Sequence, residues 1–195
     1  MRVVGIGFGD RGAAMVVATA DASSFDYESL SVLTLKDLGK KAEFLADSCT
    51  LDLVDMSEKI ERELSESEDS GLCIDAGIVL LPVNEWRDRG SSGAMDWAFA
   101  GVAFASLTAH GVQCAGITMR TAKSRLGFTG ADDLSAVYRA VMAHNESWTE
   151  FAADAAKVPA RERRVAFDVA TALMASRNSS PVATLRGRDE DPASP

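Results

Sequence analysis

The chain has few of the residues that announce metal or redox chemistry: two histidines and three cysteines in 195 residues. Cys49, Cys73 and Cys114 form an odd set without zinc-ligand spacing, and Cys73 and Cys114, lying in apolar runs, read as buried, reduced thiols. His110 and His144 are isolated, so neither a Ser-His-Asp nor a Cys-His signature shows in the spacing. Long apolar runs are missing as well. The longest, around Ala98 to Leu107, is cut by Gly101 and falls short of a membrane span. No separate apolar segment with a cleavage site follows Met1-Arg2, so the expected location is the cytoplasm. Positive charge is scarce: 20 Lys and Arg against 29 Asp and Glu leave a net charge of −9. That excludes a generic nucleic-acid coat, whose affinity comes from clustered cations, but leaves room for a local basic groove.

What is present suits one globular domain over 1–177, with a tail at 178–195 rich in Ser, Pro, Arg and Asp that is expected to be disordered. Val3 to Ile6, Ala13 to Ala18 and Leu30 to Leu35 read as strands. Residues 51 to 66 change period, placing Leu53, Met56, Ile60 and Leu64 on one helical face. Leu72 to Leu81 reads as a buried central strand, Pro82 to Gly93 as a polar loop, Met95 to Ala109 as an Ala-rich helix and Val112 to Ile117 as another strand. Asp132 or Asp133 caps a helix bearing Leu134, Val137, Tyr138 and Val141, and a last helix spans roughly Arg161 to Ser176. Three strands followed by alternating elements imply a meander extended by parallel pairs. Gly7, Gly9 and Gly12 spell G-x-G-x-x-G, but a dinucleotide turn needs a helix after it, and Met15-Val16-Val17 continues as readily into a strand. A Rossmann-type nucleotide binder is therefore the minor alternative. A P-loop is excluded, because no Gly-Lys-Ser/Thr follows.

Two acids stand out. Asp75 is the one charge in the apolar run 72–81, where a carboxylate needs a partner, a proton or a metal; a turn or a structural salt bridge is the plainer explanation. Asp168 sits on the border of the apolar face of the last helix, with an i,i+4 ion pair to Arg164 as its plainer role. Basic residues gather at Arg120, Lys123 and Arg125 and again at Arg161, Arg163 and Arg164. They frame a basic rim if the strand end and helix start are adjacent, and are scattered solvated cations otherwise.

In order and spacing these motifs resemble the RuvC-like Holliday-junction resolvases of the RNase H-like superfamily. Gly5-Ile6-Gly7-Phe8-Gly9-Asp10-Arg11-Gly12-Ala13 follows the family's opening strand and turn. Cys73-Ile74-Asp75 matches its apolar-apolar-Glu triplet, Arg89 to Gly93 its Gly/Ser loop, and Lys123 through Gly130 its lysine and Leu-Gly-Leu-Thr-Gly segment. Asp168-Val169-Ala170-Thr171-Ala172-Leu173 fits its last helix except at one acid. The resemblance implies an α/β, RNase H-like five-stranded mixed sheet flanked by helices. It also implies metal-assisted phosphodiester hydrolysis on branched DNA, with Mg²⁺ or Mn²⁺ held by carboxylates. Carried over residue by residue, Asp75 and Asp168 are the expected catalytic and metal residues. Of the basic rim, Lys123, Arg125 and Arg164 are the expected nucleic-acid contacts, and a homodimer is an expected assembly. Gly7 and Thr171 stand where the family has acids. The alternative is therefore a catalytically degenerate member that binds nucleic acid or a protein partner.

Overall fold

The computed structural model describes residues 1–9, 12–21, 23–34, 45–82, 90–129 and 132–177. Asp10, the loop 83–89 and the expected disordered tail lie outside these. Strands β1 (Arg2–Gly9), β2 (Gly12–Ala20) and β3 (Phe25–Thr34) precede helix α1 (Leu45–Asp69), strand β4 (Ala76–Leu81), helix α2 (Gly90–Ala109) and strand β5 (Gln113–Thr118). Helices α3 (Met119–Arg125), α4 (Leu134–Met142), α5 (Glu146–Lys157) and α6 (Ala160–Ser176) follow.

The sheet runs β3-β2-β1-β4-β5. β2 returns antiparallel from β1, from Gly9 opposite Gly12 back to Arg2 opposite Thr19. That overturns the dinucleotide reading, since the glycine corner joins two strands and no helix leaves it. β4 and β5 then add in parallel. Alternation along β1 sorts its side chains into two cores. Val4 and Ile6 join Met56, Ile60 and Leu64 of α1 and Phe99, Ala103 and Leu107 of α2. Val3 faces the other way, into the core shared by Val165, Val169 and Leu173 of α6.

α3 and α5 fall outside the sequence expectation. Thr118 caps α3, its Oγ1 accepting from the Thr121 N–H at 3.2 Å. Asn145 caps α5, and the helix buries Trp148, Phe151 and Ala155. The Trp148 indole donates to the Phe25 carbonyl at 2.7 Å, fastening α5 to the edge strand β3. Among the described residues no helix is long and apolar enough to cross a membrane.

Candidate functional site

The C-terminal end of β1 meets α6 along a track of glycines. α6 runs antiparallel to β1: a Cβ on Gly5 would lie 2.6 Å from Leu173, and one on Gly9 2.6 Å from Val165. A Cβ on Gly7 would collide with Val169 and come within 3.2 Å of Leu80. The helix has settled onto the strand so closely that only hydrogen fits between them. The space a carboxylate at position 7 would need is filled by Val169 and Leu80.

Asp75 lies elsewhere, and two sequence expectations need correcting. β4 begins at Ala76, opposite Val3, so Leu72 to Asp75 is irregular chain and Asp75 is exposed. Its carboxylate accepts from the Arg2 N–H at 2.6 Å, and its own N–H donates to the Arg2 carbonyl at 2.9 Å. The expected strand begins four residues too early, because hydrophobicity alone does not mark where pairing starts. Cys73, in the same irregular stretch, is likewise exposed rather than buried.

Asp168 sits one residue before Val169, level with the Gly7–Gly9 end of β1, whereas Asp75 is level with Arg2. Five or more strand residues at about 3.3 Å each separate those levels, roughly 17 Å. The fold does not bring the two carboxylates together. The residue facing Gly7 from β4 is Leu80, and Thr171 is fully buried with its hydroxyl donating to the Phe167 carbonyl at 2.7 Å. Of the four positions at this junction, Asp168 alone is an acid. Among the described residues no three His, Cys, Asp or Glu side chains gather where they could share an ion. The residues present do not fit a two-metal centre, which needs several oxygen ligands converging within a few ångströms.

Asp168 has other company. The Tyr138 hydroxyl donates to its Oδ1 at 2.6 Å. Burial raises the Asp168 carboxyl above the usual carboxylate range, while the phenol bond and the nearby Arg164 guanidinium pull the other way. Burial and the Asp168 charge raise the Tyr138 phenol in turn, with Arg164 acting oppositely. Stacking of Tyr138 on Phe167, 4.9 Å between ring centres, fixes the phenol against α6. Tyr138 is the site residue the sequence reading missed. Its signal was there, a tyrosine on the apolar face of α4, but nothing in the sequence pairs α4 with α6.

The three expected nucleic-acid contacts differ in what they can present. Lys123 is 8% exposed, and its ammonium donates to the Asp132 carbonyl at 2.6 Å. Arg125 and Arg164 are exposed, in the last turn of α3 and the second turn of α6. Charge is segregated across the sheet. α1 carries nine acidic residues against Lys59 and Arg62, whereas residues 119–177, which cover the opposite face, carry nine basic against seven acidic.

Among solved structures, Thermus thermophilus RuvC matches with a TM-score of 0.63 at 12% identity, over 92% of this chain and 98% of that one. The fold is RuvC-like. T. thermophilus RuvC in complex with Holliday junction substrate gives 0.61 at 12% identity, over 88% and 92% of the two chains. The yeast mitochondrial Holliday junction resolvase gives 0.60 at 10% identity, over 95% and 82%. No protein-family model and no curated protein matches. The RuvC-like likeness is thus one of backbone architecture, and the chemistry rests on this chain's own side chains.

Proposed function

We propose that this RuvC-like chain binds branched DNA without cutting it by the two-metal route. The observation that carries this is the closed junction at Gly7, where Val169 and Leu80 occupy the place a first carboxylate would take. Branched DNA as the partner is supported by the shared architecture with a neighbour solved in complex with Holliday junction substrate. It is supported further by the slight excess of basic over acidic residues in the layer over one face of the sheet, nine against seven, where a polyanion meets least repulsion. The rival reading is an altered endonuclease using Mg²⁺ or Mn²⁺ at Asp75 and Asp168. It draws on the half-buried Asp168, but roughly 17 Å of strand, five residues at about 3.3 Å each, separates the levels of the two acids and leaves no shared ion. Cytoplasmic residence and a homodimeric state belong to the same proposal.

The test is a synthetic four-way junction offered with Mg²⁺ or Mn²⁺, scored for cleavage and for binding on the same samples. Binding without cleavage is expected. Metal-dependent cleavage abolished by Asp168→Asn or Asp75→Asn would overturn the proposal and restore the endonuclease. No binding to any junction, with a protein partner recovered instead, would replace DNA by protein.

A further inference from the structure

We propose that one face of α2 is the surface through which two copies of this chain pair, packed antiparallel about a twofold axis. Pairing at this face deepens the homodimeric part of the reading above and rests on it, but not on DNA binding. Residues 97–119 contain no Asp, Glu, Lys or Arg, the longest such stretch in a chain that is 25% charged. They comprise much of α2 and all of β5, the strand that ends the sheet on that side. Edge strands are ordinarily guarded by charge or proline. β5 has neither, and its Gln113 and Gly116 are exposed.

Polar contacts orient α2. The Ser106 hydroxyl lies 3.3 Å from that of Ser57, which turns that side toward α1. Thr108 lies on another side, its hydroxyl 3.9 Å from the Cys114 sulfur of β5. Trp97, Gly101, Phe104 and Thr108 recur at helical spacing and form one stripe. Trp97 and Phe104 are half-buried, Gly101 and Thr108 are exposed, and a Cβ on Gly101 would meet nothing within 4 Å. Gly101 is an open notch between two aromatic residues of the stripe.

The order large, small, large, small is its own complement when reversed. Trp97 and Thr108, like Gly101 and Phe104, lie symmetrically about the peptide joining Val102 to Ala103. A second copy, antiparallel with the twofold axis at that peptide, sets each Phe104 over the other's Gly101 and each Trp97 over the other's Thr108. Such pairing is isologous, and a glycine at the contact lets helices approach at the short end of the usual range of about 8–10 Å. Charge points to the same occupant. Two copies, each at −9 and each with nine acids on α1, repel one another unless they meet where neither carries charge. The plainer alternative is a surface helix whose exposed small residues have no partner.

Sedimentation velocity of the full chain over a concentration series, with melting curves on the same samples, tests this. The wild type should run at about twice the 20.7 kDa of one chain, and its melting temperature should rise with protein concentration. Gly101→Glu fills the notch with a charge repeated in both copies and should weaken self-association by about tenfold or more. Its Cβ meets no atom of its own chain and it replaces a helical glycine, so the monomer should fold, with a melting temperature that no longer depends on concentration. Phe104→Ala should weaken pairing as well, whereas Val54→Gln, at an exposed position on α1, should leave the sedimenting mass unchanged. A dimer that survives Gly101→Glu overturns this inference and leaves the homodimeric reading standing. A wild-type chain that stays monomeric at every concentration overturns both, while DNA binding is scored separately on the junction.

Discussion

At its Arg2 end, β1 is held by charge and water-facing hydrogen bonds; at its Gly9 end it is held by the absence of side chains. Arg2 donates to both carboxylate oxygens of Glu28 at 2.5 and 2.8 Å, to the Leu72 carbonyl, and through its N–H to Asp75. These bonds tie β1 to β3 and to the turn before β4. The other end has glycines against valines and leucines, with van der Waals contact as the adhesive. The difference shows where the fold tolerates acids. Acids bind at the Arg2 end, whereas the Gly9 end is sealed by packing, with Asp168 the acid beside it among the described residues.

The seal is the part most easily broken. Gly7→Asp drives a Cβ into Val169 and places a charge in an apolar junction, so a loss of about 4 kcal/mol or more in urea unfolding is expected, with no recovery in Mg²⁺. Because that variant can fail to fold, Gly7→Ala alone and with Val169→Ala sharpens the point. The single change should cost roughly 1–3 kcal/mol, and the pair should be measurably less destabilised than the sum of the two singles, since the second truncation makes the room the first lacks. Strict additivity would mean the helix can shift freely, contrary to the tight approach.

Next in size come the polar links at the two ends. Tyr138→Phe leaves a half-buried carboxylate without its 2.6 Å donor and should cost roughly 1–3 kcal/mol. Arg2→Met, at the more exposed end, should cost about 1 kcal/mol, because solvent replaces part of what is lost. A reversal of that order would say that charge, and not packing, dominates the sheet.

Asp168→Asn is the smallest and has a pH signature. Burial raises the folded carboxyl above its unfolded value, so the protonated acid is the form the fold favours. The stability this group contributes is present at low pH and is lost as pH rises through the folded pKa. Near pH 3 the variant should match wild type, and by neutral pH it should be equal or slightly more stable, read from melting temperatures across the series. A variant that loses stability steadily as pH rises would mean the ionised carboxylate is held favourably, by Arg164 above all.

Much of the sheet was legible. The β-branched run after Gly12 marked a second strand, and the strand-rich start followed by alternating elements implied the meander with parallel additions that the structure shows. Asp168 was placed correctly on α6 by the apolar spacing of Val165, Val169 and Ala172. The site itself was not legible, for reasons particular to its residues. Asp75 lies in an apolar run whose first four residues precede the strand. Leu80 carried no signal because a leucine in a strand is ordinary. The role of Gly7 depends on how closely α6 approaches, a tertiary fact. α3 and α5 are short helices whose start signals, Thr118 and Asn145, are single capping residues that serve equally well in turns.

The most direct test of the closed junction is calorimetric titration of the wild-type chain with Mn²⁺, repeated with Mg²⁺, alongside melting curves at each concentration. A sealed junction with one acid predicts no saturable binding and no rise in melting temperature, because an ion that binds the folded state must stabilise it by mass action. Saturable binding that raises the melting temperature and disappears in Asp168→Asn would contradict it.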